Sequence, residues 1–219
     1  MQRSFDDTQK DELLGIRTTG RDDTHSDTFR YPYEPTSYEI LDRIADSGYI
    51  TGSDLLIDYG CGKGRVPIYM NYKTGCRACG IEMMREFIDI AQVNLSSYNK
   101  AHKHDKLHNE MSESIEFINA EAEKYVVPLE ATSFFFFNPF SIEILKRVMK
   151  RILDSYYANP RHMTMFFYYP SDEYIAFLMN VPELSFVDEI DCTDIAALEK
   201  SRNCLLYTSD AADDSLRVD

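Results

Sequence analysis

The 219-residue chain contains no run of 18 consecutive apolar residues, so no segment is long enough to span a bilayer as a helix. Its first ten residues, Met1–Lys10, are polar, which does not fit a secretory leader. Both absences point to a soluble, cytoplasmic protein. Cysteine is scarce too: five residues, at 61, 76, 79, 192 and 204, an odd number without paired spacings. That set fits reduced thiols better than a disulfide framework. Basic residues are the third shortage, with 23 Lys and Arg against 37 Asp and Glu and a formal charge of -14. Binding along a nucleic-acid backbone rests on clustered cations. The densest basic run, Lys146, Arg147, Lys150 and Arg151, lies on an amphipathic pattern that reads as a solvated helix face. Extended nucleic-acid binding is therefore not expected, although a local patch could still serve an RNA base. Metal ligands also fail to cluster. His102, His104 and His108 fall in a polar connection with no nearby cysteine, while Cys76 and Cys79 sit three apart on an expected strand and face opposite sides. No metal site is expected.

What is present suffices for one α/β domain: 44% hydrophobic residues and 27% charged ones. Residues 1–30 are polar and charge-mixed, and read as an arm or lid preceding the domain. The prolines of Tyr31-Pro-Tyr-Glu-Pro-Thr-Ser-Tyr38 impose extended or turn geometry, after which Thr36 or Ser37 caps a helix through Ile40, Leu41 and Ile44. Short apolar runs at 55–57, 76–81, 115–118, 134–137, 163–169 and 186–190 read as strands. Between them, 65–72, 84–98, 142–157 and 172–179 carry helical patterns. Phe134-Phe-Phe-Phe137 is too uniformly apolar for anything but a strand covered on both faces. Strands alternating with helices imply βαβ units and a mostly parallel sheet.

The informative segment is Asp58-Tyr-Gly-Cys-Gly-Lys-Gly-Arg65, which follows the first strand and opens a helix. In that context a glycine-rich turn binds nucleotide-like ligands. Asp58 narrows the ligand. A dinucleotide would place its pyrophosphate at this helix start, and two like charges about 4 Å apart cost roughly 4 kcal/mol at an effective dielectric near 20. S-adenosylmethionine (SAM) carries no phosphate, and its ammonium and sulfonium are both attracted by an acid there. Glu82 ends the second strand, 22 positions beyond Gly60, where an acid accepts from ribose hydroxyls. After the third strand comes Asn119-Ala-Glu-Ala-Glu123. There the Glu121 carboxylate suits the adenine amino group, and the Ala122 N–H suits the ring.

These residues together resemble the class I SAM-dependent methyltransferases, over roughly Glu34 to Asp191. The resemblance assigns cofactor binding to Asp58, Gly60, Gly62, Glu82, Glu121 and Ala122. It implies a Rossmann-like doubly wound sheet in the order 3-2-1-4-5-7-6 with the seventh strand antiparallel. Within the class, Tyr33–Tyr38 and Phe136–Ser141 are similar to a poorly characterised bacterial subgroup. Asn138-Pro139-Phe140 resembles the (Asn/Asp)-Pro-Pro-(Tyr/Phe) motif of amino-methyltransferases, in which the amide and a carbonyl hold the acceptor nitrogen and the aromatic stacks on it. One proline is missing here, so Phe140 stands one position early, and a turn that merely lines the cofactor pocket is the competing reading. Catalysis by alignment and desolvation needs no general base. The acceptor itself is left open between a small molecule, a protein side chain and an RNA base. A non-catalytic SAM-binding protein and an NAD-dependent oxidoreductase are the rivals, the second opposed by Asp58.

The last segment reads differently. Cys204-Leu-Leu-Tyr-Thr-Ser-Asp-Ala-Ala-Asp213 is, in order, the translation of a transposase-type sequencing-library adapter. Residues 204–219 are therefore expected to be a non-native tail, with the domain over 31–203 lacking its native last strand. Removing the tail's four Asp and one Arg leaves the chain strongly acidic.

Overall fold

The computed structural model describes residues 2–22, 33–102, 114–193 and 203–209. Two helices, α1 (Gln2–Leu14) and α2 (Tyr38–Asp46), precede the alternating part. That part runs β1 (Leu55–Tyr59), α3 (Arg65–Thr74), β2 (Arg77–Glu82), α4 (Arg85–Ala101), β3 (Ile115–Asn119) and β4 (Ser133–Phe137). It continues with α5 (Ile142–Ala158), β5 (Met163–Tyr168), α6 (Asp172–Leu178), β6 (Ser185–Ile190) and β7 (Cys204–Ser209). One seven-stranded sheet has the order β3-β2-β1-β4-β5-β7-β6. The β3-to-β5 part is parallel, and β7 runs antiparallel to both β5 and β6. This is the Rossmann-like arrangement expected.

Side-chain alternation divides the core between the sheet's two faces. Leu56, Phe135, Phe166 and Leu206 point to one side, with Leu14 of α1, Leu41 of α2, Ile68 of α3 and Ile88 of α4. Ile57, Phe134, Phe136, Met165 and Phe167 point to the other, under Leu145 and Met149 of α5 and Leu178 of α6. Strands buried on both faces explain the continuous apolar runs. On the second face the rings of Tyr59, Phe136 and Phe167 stack across β1, β4 and β5, with centroids 5.1 and 4.7 Å apart. Cys76 belongs to the first face and Cys79 to the second, as the strand reading required.

Two segments pack more closely than their sequence patterns announce. The described part of the N-terminal segment is not a loose arm. Leu14 and Ile16 are buried in the core, and the Asp11 carboxylate accepts from the Thr18 N–H and hydroxyl (2.6 and 2.7 Å) and from the Tyr38 hydroxyl (2.5 Å). Arg65, 2% exposed at the start of α3, donates to Thr18 Oγ1, Asp7 Oδ2 and the Thr36 carbonyl. A guanidinium so buried must be paired, and its partners, Asp7, Asp11, Thr18 and Thr36, all precede α2. The other segment is the last strand. Its position is filled, by Cys204–Ser209, the very residues read as a tail. Cys204, Leu206 and Tyr207 are buried; the segment's apolar, strand-compatible composition lets it complete both neighbouring ladders.

Candidate functional site

The carboxyl ends of β1 to β5 open into a cavity of about 430 Å³. Gly60 follows β1, Glu82 ends β2, Glu121 and Ala122 follow β3, Asn138-Pro139-Phe140 follow β4, and Tyr168 and Tyr169 close β5; all nine line it or its mouth together with Tyr33 and Met84. Outside the carboxyl ends, beside the sheet's switch point, is where open α/β sheets bind ligands.

The glycine loop is held from below and crowded from above. Gly60 and Cys61 both donate N–H to the Ile81 carbonyl, at 2.9 and 3.1 Å. Gly60 has φ +82°, and a Cβ there would lie 2.8 Å from Pro139 Cβ; at Gly62, φ +52°, it would lie 2.3 Å from the Tyr33 ring. Only glycine satisfies both the left-handed backbone and that closeness. The Glu82 carboxylate accepts from Gly62 N–H (3.2 Å) and Met84 N–H (2.9 Å), so it bridges the loop to the start of α4. Asn119 and Ala120 fasten the backbone behind it: the Asn119 amide donates to the Glu82 and Met83 carbonyls and the Ala120 N–H to the former. Sequence reading passed over this role of Asn119, because an amide at a strand end has no spacing signature.

Asp58 and Gly62 are not on the cavity wall. Tyr33 stands over Gly62, its hydroxyl donating to the Thr18 carbonyl at 2.6 Å and its ring 4.5 Å from the Lys63 ammonium. Asp58 is 3% exposed, and its Oδ2 accepts no hydrogen bond among the described residues. Burial, and then the neighbouring Glu82 charge, push its carboxyl well above the usual carboxylate range. Glu121 is half-exposed and ion-paired with Lys124 at 2.8 Å. Asn138 takes a left-handed φ of +38°, and its Oδ1 is buried without a partner among the described residues. Phe140 is 5% exposed and edge-on to Phe136, while its carbonyl accepts the Tyr174 hydroxyl at 2.5 Å. His102 lies against Tyr98, with its Nδ1 3.0 Å from the Tyr98 carbonyl; His104 and His108 fall outside the described residues.

The chemistry of the wall fits a cationic, phosphate-free nucleoside. Among the described lining residues Arg21 is the single cation, and it pairs with Glu34 at 3.5 Å. Glu34, Glu82, Glu121 and Glu123 contribute four carboxylates. A pyrophosphate would meet repulsion here; Asp58, behind the wall, has an orphaned oxygen that an ammonium would satisfy.

A family described as "Histone methylation protein DOT1" matches residues 26–159. The chain belongs to the DOT1 family. Over 67 residues it is 36% identical to the histone-lysine N-methyltransferase, H3 lysine-79 specific, of Dictyostelium discoideum; this stretch is 31% of the chain and only 4% of that much longer relative. Two solved structures share the fold at low identity. The human methyltransferase 10 domain containing protein superposes with TM-score 0.60 at 14% identity, over 94% of this chain and 95% of its own. An RNA methyltransferase from Salinibacter ruber, in complex with S-adenosyl-L-homocysteine, gives 0.52 at 18%, over 81% and 95%. Membership in the DOT1 family, described by histone methylation, sets the oxidoreductase alternative aside. No helix among the described residues is long and apolar enough to cross a membrane.

Two results are expected of the cofactor end. Glu82→Ala removes the acceptor facing the cavity and should cost at least about 1.5 kcal/mol of SAM binding, the scale of a hydrogen bond to a charged group, measured by calorimetry. For Asp58 the sign follows from its raised pKa. Above the ordinary carboxylate pKa the folded chain keeps a proton that the unfolded chain releases, so stability falls as pH rises towards the folded value. Asp58→Asn should thus raise the thermal midpoint of the ligand-free protein at pH 7 and flatten its dependence on pH. The same variant should weaken SAM binding more than tenfold. A lower midpoint with unchanged affinity would assign Asp58 to the turn alone.

Proposed function

We propose that the chain methylates an amino nitrogen of a basic protein, a lysine side chain of a histone-like partner. The observation that carries this reading is Asn138: a buried, unpartnered amide oxygen at the carboxyl end of β4, on the cavity wall. An acceptor-only oxygen there suits an N–H. In this reading Asp58 holds the cofactor's ammonium, Glu82 its ribose, Gly60 and Gly62 admit it, and Glu121 with Ala122 meets its adenine. Bound SAM supplies an electrophilic methyl on a sulfonium. Phe137, Tyr168 and Tyr169 offer an apolar wall, which disfavours an ammonium and so favours the neutral, nucleophilic amine. Asn138 Oδ1 accepts one amine N–H and turns the nitrogen lone pair towards the methyl. Methyl transfer would break the cofactor's S–C bond as the N–C bond formed, leaving a thioether and releasing the surplus proton to water.

Charge favours a protein over an extended nucleic acid. The chain carries a net charge of -14, and its basic helix face is engaged locally: Lys150 pairs with Asp154, and Arg147 with Glu123. The DOT1 match and the lysine-specific relative point the same way. We further read the protein as cytoplasmic, as similar to the bacterial subgroup named above, and as foreign in origin after Asn203. The test is transfer of labelled methyl from SAM into recombinant core histones, with ribosomal RNA as the competing acceptor. Methyllysine in the digested protein is the expected product. Label confined to RNA would overturn the acceptor assignment.

A further inference from the structure

We propose that Tyr169, and not Phe140, is the aromatic residue that receives the acceptor and sets its specificity; this rests on the methyl-transfer reading above. Among the described residues only Asn138 and Tyr169 combine a side chain with positive φ, +38° and +55°. Both line the cavity described above. They are also neighbours by register: Phe137 of β4 pairs with Tyr168 of β5, so each is the first residue beyond its strand.

A left-handed backbone is unfavourable for a bulky L-residue. Such conformations persist where the surroundings over-determine them, and they gather at sites of function. The surroundings here do so from both sides. Beyond Tyr169, Pro170 limits the chain, and Ser171 caps α6 by accepting the Tyr174 N–H at 3.2 Å. The Tyr174 hydroxyl in turn binds the Phe140 carbonyl, tying the turn after β5 to the turn after β4.

That tie also removes Phe140 from the acceptor. Its ring is 5% exposed and packs edge-on against Phe136, and its carbonyl is engaged. Tyr169 keeps a partly exposed ring on the wall, 6.4 Å from the Tyr168 ring, which lies 4.6 Å from Phe137. A slender alkylamine fits such a surface: its methylenes lie along the rings.

The test uses full-length Tyr169→Asn, since Asn tolerates left-handed backbone, with Tyr169→Phe as the conservative variant. Core histones serve as the probe in two assays, labelled-methyl transfer and titration onto the protein saturated with S-adenosylhomocysteine. Tyr169→Asn should raise the histone KM and Kd at least tenfold, keep SAM affinity within threefold, and leave the thermal midpoint within about 3 °C, because lost ring packing is offset by relief of the backbone. Tyr169→Phe should restore KM. Unchanged KM and Kd in Tyr169→Asn, with the wild type active, would sink this proposal alone. So would a parallel loss of SAM affinity, or a large fall in the midpoint that Phe repairs without altering KM. A wild-type protein that neither binds nor labels core histones would sink the acceptor assignment and this proposal together.

Discussion

Replacing Cys204–Ser209 with a Gly/Ser stretch is expected to lower the thermal midpoint by more than about 10 °C. The strand is interior, hydrogen-bonded to β5 on one side and β6 on the other. Leu206 and Tyr207 are 0% and 2% exposed, and burying such a side chain stabilises by about 1.5–3 kcal/mol. Losing both, with β6 left unpaired, removes roughly 5 kcal/mol, a large part of an ordinary domain's stability; for a chain of this size that is about 10–20 °C. The loss also reaches the cavity, because Cys204 pairs with Tyr168 on its wall. Differential scanning calorimetry checks the stability, and SAM titration the cavity. An unmoved midpoint would mean that the strand only decorates the sheet. Foreign origin and structural use are separate properties: a sheet edge accepts any segment whose side chains fit its pleat and whose backbone completes its ladder.

The distribution of what was legible follows from the range of the interactions. Strands and helices were readable because each carries its own burial pattern, as in Phe134–Phe137 between two helix layers. The glycine loop and Glu82 were readable because their ligand chemistry demands a fixed order along the chain, and the structure brings Gly60 and Glu82 to one cavity. The docking of the N-terminal segment was not readable. It depends on Arg65 meeting Asp7, 58 residues away, and a lone Arg after a glycine loop does not announce a buried partner. The burial of Phe140 was not readable for a similar reason. Its packing against Phe136 and its tie to Tyr174 come from α6 and the strand beneath, neither of which the motif mentions. Tyr33 over Gly62 likewise joins residues that only the folded chain brings together.

Asn138→Ala is expected to lower methyl-transfer turnover by about 10–1,000-fold while SAM affinity changes by less than about tenfold. The side chain is placed for the acceptor. Its Oδ1 is buried on the cavity wall without a partner among the described residues, and an unpaired buried acceptor is costly unless some ligand group completes it. The backbone argues likewise. A φ of +38° at a residue with a side chain is held by Pro139, which presses on Gly60 closely enough to exclude any Cβ there. The cofactor loop and the amide are therefore one packed unit, so the amide's position relative to the methyl donor is set before either substrate binds. Removing it leaves the cofactor's acid and ribose contacts in place but frees the acceptor nitrogen to rotate, and misalignment of the lone pair is paid at the transition state. Asn138→Asp separates hydrogen bonding from charge: its added carboxylate keeps an acceptor while favouring a protonated, non-nucleophilic amine, so turnover should recover as pH rises. The measurements are labelled-methyl transfer into core histones and calorimetric SAM titration of the same preparations. Turnover and SAM affinity falling together would reduce Asn138 to a wall of the cofactor pocket, and unchanged turnover would remove it from the mechanism.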